Sequence, residues 1–149
     1  MTRREFGKYW LPALLWMVAI FTASTDLGST QHTSRIIGPV LHFFWPSISD
    51  QAVHDIQVMV RKIGHLGGYA VLAILVWRAR HRGIFTRQWS ARRAAFAEFI
   101  CLVYAISDEF HQSFVPTREA SIVDVMIDCA GAAAGLLALW IFGKVRAKW

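Results

Sequence analysis

Residues 122–142 form a run of twenty-one positions without a lysine, arginine or proline, interrupted only by Asp124 and Asp128. A run of that length matches the ~20 residues an α-helix needs to cross the hydrocarbon core of a bilayer. In hydrocarbon the backbone must satisfy its own hydrogen bonds, which leaves helices and closed barrels as spanning structures. Three shorter apolar segments, 10–24, 63–77 and 94–110, repeat the pattern. The expected fold is therefore all-α: one membrane domain over 1–149, with four transmembrane helices in a compact bundle.

Composition agrees, because 55% of the chain is hydrophobic and only 17% is charged, whereas soluble domains carry about a quarter charged residues. The net charge of +6 does not argue for nucleic acid, since the basic residues flank apolar segments and form no stripe interleaved with aromatics. They act as topology signals instead. With the N-terminus in the cytoplasm, twelve of the sixteen basic residues lie inside, as the positive-inside rule requires, and the even number of spans returns the C-terminus to the same side. Arg3, Arg4 and Lys8 before an apolar run also resemble a signal peptide. No clear small-x-small cleavage site precedes Asp26, so the expectation is an uncleaved first helix.

The segment 36–46 is aromatic and broken by proline, too short to cross, and expected to be interfacial or re-entrant. Val53, Ile56, Val60 and Ile63 recur at helical spacing, which predicts an amphipathic helix along the outer surface leading into the second span. Cys101 and Cys129 sit inside apolar segments and read as small buried hydrophobes. The tryptophans near segment ends, Trp77 and Trp140 among them, read as headgroup-level anchors.

Against this background Asp108-Glu109-Phe110-His111-Gln112 is an anomaly, because ionisable groups in a spanning segment are expensive and by default mark function. The topology places it at one membrane level with Lys62, His65, Tyr69, Arg118, Asp124 and Asp128. Lys62, His65 and Tyr69 have i, i+3, i+7 spacing and share a helix face, with Gly64 and Gly68 expected to admit a neighbouring backbone. Asp124, Asp128, Gly131 and Gly135 follow i, i+4, i+7, i+11, so two carboxylates continue into a small-residue packing stripe. Glu98 stands apart, toward the cytoplasmic end.

Three chemistries fit these residues. In an enzyme, His65 or His111 would serve as general acid or base, oriented by Asp108, Glu109 or Asp124. Lys62 and Arg118 would hold an anionic headgroup or lipid-linked pyrophosphate, with Tyr69, Gln112 and Asp128 completing the substrate contacts. A divalent metal would draw on His65, His111, Asp108, Glu109 or Asp124. A noncatalytic binder would place the headgroup of a lipid, glycolipid or lipophilic antibiotic on the polar cluster and its tail on the apolar helix faces. Ser113 reads as a helix-end turn former rather than a nucleophile, and Arg118 equally suits a structural ion pair with Asp124 or Glu109.

The order Lys62-x-x-His65-x-x-x-Tyr69, Asp108-Glu109-x-x-Gln112-x-Phe114-x-Pro116-x-Arg118, Asp124-x-x-x-Asp128-x-x-Gly131 resembles the VanZ-like family over most of the chain, and the Ser24 end of the first helix fits loosely. That resemblance implies a small polytopic protein of the bacterial inner membrane and cell envelope, from a family named for members linked to reduced glycopeptide susceptibility. It implies no established reaction. Asp128 departs from the asparagine frequent in the family and adds a carboxylate to the site.

Overall fold

The computed structural model describes residues 2–25, 30–85, 88–116 and 120–146, and for 30–36 the backbone alone. Among them are five helices, α1 (Arg3–Ser24), α2 (Thr30–Phe44), α3 (Asp50–His81), α4 (Ala91–Gln112) and α5 (Ile122–Val145), and no strand. Local chemistry sets several of the ends. Thr2 and Glu5 form a reciprocal capping box at the start of α1. Ser49 and Ser121 accept backbone N–H groups at the starts of α3 and α5. Arg82, at φ 56°, closes α3 in the left-handed conformation.

Three helices, α1, α3 and α5, are long and apolar enough to cross a membrane. The fourth expected span, 94–110, forms α4, which falls short on composition because it carries Arg92, Arg93, Glu98, Asp108 and Glu109. The expected surface helix over 53–63 does not exist as a separate element. It is the first part of α3, which continues unbroken through the second span for 32 residues, about 48 Å at ~1.5 Å per residue. The segment 36–46 falls largely within α2, with Pro39 inside the helix.

Helix α3 is the centre of the assembly, packed against each of the other four. Its contacts give the helix directions. Arg61 meets Asp124, His65 meets Asp128, Leu66 faces Gly131 and Ala70 faces Gly135, so α3 and α5 run parallel. Trp16 donates to the Gly68 carbonyl while Arg78 reaches the Lys8 carbonyl, so α1 runs antiparallel to α3. Tyr104 donates to the Met17 carbonyl and Ser24 to Asp108, so α4 runs parallel to α1. The result is an up-down-up-down bundle in which the C-terminal ends of α1 and α4 meet the N-terminal halves of α3 and α5.

The apolar core, which includes Leu72, Val76, Trp77, Cys101, Ala105, Ala132 and Leu136, fills the bundle away from that end. Trp77 belongs to this core: it is fully buried and stacks on Trp89, so it is not a headgroup anchor. Large apolar side chains cover the outside instead, among them Leu15, Val18, Phe99, Ile106, Leu137 and Ile141. In water such a surface would aggregate, and in lipid it is the expected exterior.

Candidate functional site

The polar end is assembled from all four bundle helices. On α5, Asp124 and Asp128 lie one turn apart, and both are buried. Asp124 accepts from the Arg61 guanidinium, and Asp128 Oδ1 lies 3.0 Å from His65 Nδ1. On α4, Asp108 Oδ2 accepts the Ser24 hydroxyl at 2.6 Å and the Gln112 amide at 3.2 Å. The same Gln112 nitrogen donates to Glu109 Oε1 at 3.2 Å, and Glu109 Oε2 accepts the Ser121 backbone N–H at 2.8 Å. Glu109 therefore ties the end of α4 to the first turn of α5. Asp108, Glu109 and Gln112 are all buried, the last completely.

This arrangement joins most of the expected site residues, namely His65, Tyr69, Asp108, Glu109, Gln112, Asp124 and Asp128. Others fall elsewhere. Lys62 is exposed and lines a groove on the outside of the bundle with Asp55, Met59, Ile63, Leu66 and Ile127, because each helical residue turns ~100° from the last. Arg61 takes the inward position instead. His111 packs its ring on Phe21 with centroids 4.3 Å apart, and its Nδ1 has no hydrogen-bond partner among the described residues, so no carboxylate orients it there. Arg118 lies outside the described residues. Ser113 donates to the Phe110 carbonyl at 2.6 Å, as a turn former does.

Three contributors were not assigned to the site by sequence reasoning. Arg61 and the buried Gln57 continue the His65 face at four-residue steps, a spacing that could have revealed both. Ser24 carried its place at the end of an apolar run and a loose fit to the family pattern. The expected approach of a backbone to Gly64 and Gly68 also fails: a side chain at Gly64 would meet nothing within 4 Å, and one at Gly68 only Ile20, at 3.9 Å. The close approach lies on α5. A Cβ at Gly131 would stand 2.2 Å from the Leu66 carbonyl oxygen, and one at Gly135 2.5 Å from that of Ala70. Both glycines thus close the bundle internally.

The ligand set weighed for a divalent metal is not brought together. Among the described residues no three His, Cys, Asp or Glu side chains are grouped to hold an ion. Four of the five side chains are committed elsewhere, Asp124 to Arg61, His65 to Asp128, Asp108 to Ser24 and Gln112, and Glu109 to Gln112 and Ser121, while His111 packs on Phe21.

What the geometry offers is hydrogen bonding and proton transfer. A carboxylate on Nδ1 holds the imidazole as its Nδ1–H tautomer, which leaves Nε2 with a lone pair. Four buried oxygens, Tyr69 Oη, Asp108 Oδ1, Gln112 Oε1 and Asp128 Oδ2, have no hydrogen-bond partner among the described residues. Each such oxygen costs about 1–3 kcal/mol unless something donates to it. The polar end therefore has unused capacity for a donor group.

Fold and site together define a small all-helical protein with membrane-spanning helices and a buried ionisable cluster at one end of its bundle. The family model for VanZ/LLP1 matches residues 9–143. The chain belongs to that family. No curated protein and no solved structure shows significant similarity to it.

Proposed function

We propose that the protein is a four-span protein of the bacterial inner membrane, both termini cytoplasmic, whose polar end acts on the headgroup of a lipid or lipid-linked envelope compound at the outer leaflet. Helix α4 is the fourth span. Asp108 and Glu109 are shielded inside the bundle, and Arg92 and Arg93 sit in its first turn, where long basic side chains reach the interface. Twelve of the sixteen basic residues then lie on the cytoplasmic side, opposite the polar end.

The observation that carries the chemical reading is the pair His65–Asp128. An imidazole held through one nitrogen by a buried carboxylate is a general base in waiting, and it stands in a site whose spare oxygens accept hydrogen bonds. Hydroxyl or amine groups of a headgroup would donate to those oxygens, and His65 would take a proton from the reacting group. The phosphate of such a headgroup falls to Arg118, since Lys62 faces the outside of the bundle.

The test is incubation of the purified chain with a panel of envelope lipids and lipid-linked precursors, comparing wild type with His65→Gln and Asp128→Asn. Turnover lost in both variants, with helicity retained, is the expected result. Turnover that survives both changes would refute the assignment of the base. Saturable binding without turnover would replace catalysis by a carrier or sequestering role, which the spare acceptors also suit.

A further inference from the structure

A second polar feature lies away from the cluster. An open groove of about 530 Å³ runs between α4 and α5, lined by Trp89, Ala94, Glu98, Ala133, Leu136 and Trp140. Among the described residues Glu98 is the one ionisable residue in its wall. Ten residues separate it from Asp108, about 15 Å along α4, so the groove is distinct from the polar end. Its carboxylate oxygen Oε2 is buried and has no hydrogen-bond partner among the described residues. Trp89, which forms part of the wall, is braced by stacking on the buried Trp77 at 4.5 Å.

These groups select a ligand by its chemistry. A carboxylate oxygen without a partner, facing an apolar groove, attracts a cation more strongly than it would in water. Indole faces attract cations as well, by ~0.5–2 kcal/mol each. A metal ion would find a single carboxylate and no further ligand. A small hydrated amine would give up its water shell to a wall with few acceptors. A cation whose charge is already wrapped in hydrocarbon loses little on entry and gains the apolar contacts of Ala133 and Leu136. The volume also lies within the ~300–1,000 Å³ of small-molecule sites. We propose that this groove binds a lipophilic monocation, such as a quaternary ammonium or phosphonium carried on an apolar body, with Glu98 as counter-ion and Trp89 and Trp140 as aromatic walls.

Equilibrium dialysis of the purified full chain in nonionic detergent, with radiolabelled tetraphenylphosphonium as probe, tests this. Saturable one-to-one binding is expected. Glu98→Gln should weaken it at least tenfold, Trp140→Leu severalfold, and Lys62→Met not at all, with circular dichroism checking that each variant is folded. Neutral triphenylphosphine oxide should fail to displace the probe. The proposal is overturned by binding no greater than to empty micelles, by a folded Glu98→Gln variant with wild-type affinity, or by equal displacement with the neutral compound. The Trp140→Leu and displacement results decide the matter should Glu98→Gln not fold.

Discussion

Replacing Gly131 by alanine is expected to destabilise the protein and to open its polar end. A Cβ there would stand 2.2 Å from the Leu66 carbonyl oxygen and 2.8 Å from the Leu66 Cα. Ordinary contact begins near 3.4 Å, so α5 would have to withdraw by about 1.2 Å, and no rotamer change relieves a clash with backbone. His65 precedes Leu66, and Asp128 lies one turn before Gly131, so the same withdrawal stretches their 3.0 Å contact beyond hydrogen-bonding range. Overpacking costs about 1–3 kcal/mol, the lost bond to a charged group a further ~1.5–3, and the better helix propensity of alanine returns ~1. The net loss is about 1.5–5 kcal/mol. Gly135→Ala should cost less, because its clash, 2.5 Å from the Ala70 oxygen, lies a turn farther from the pair. Gly64 and Gly67, on α3, provide the control: a Cβ there meets nothing within 4 Å, so alanine should stabilise by ~0.5–1 kcal/mol. Thermal unfolding in one mild detergent, followed by circular dichroism, reads all four variants. If Gly131→Ala raises the midpoint as Gly64→Ala does, the close α3–α5 crossing is wrong, and the pairing of His65 with Asp128 loses its support.

Two further substitutions test the polar end. Arg61→Met leaves the Asp124 carboxylate buried without its partner and should cost about 2–3 kcal/mol, below the ~3–5 of a fully buried pair because Arg61 is partly exposed, whereas Lys62→Met should change stability by less than ~0.5; equal losses in thermal unfolding would refute the inward placement of Arg61. Ser24→Ala removes the hydroxyl 2.6 Å from Asp108 Oδ2 and should cost about 1.5–3 kcal/mol. In a double-mutant cycle with Asp108→Asn, the two losses should fail to add, and strict additivity would dissolve the contact.

How far the site could be read from the sequence depended on how many faces of each helix were distinctive. On α5 every position outside the stripe Asp124, Asp128, Gly131 and Gly135 is apolar, small or remote in the chain, so one face stood out, and it is the face that meets α3. On α3 two adjacent basic residues, Arg61 and Lys62, offered faces ~100° apart. The choice between them is fixed by Asp124 on another helix, which no local spacing contains. The glycines of α3 misled for the same reason, since a glycine permits close approach but the partner decides whether it happens, and here the small residues that matter are on α5. The sequence led the amphipathic helix into the second span but did not show them as one element, because the change of pattern near residue 63 records a change of surroundings, and no proline ends the helix there. Asp108 and Glu109 are met by Ser24 of α1, by Gln112 of α4 itself and by the Ser121 N–H at the start of α5, so the residues that weaken α4 as an isolated span are the ones that fasten it into the bundle.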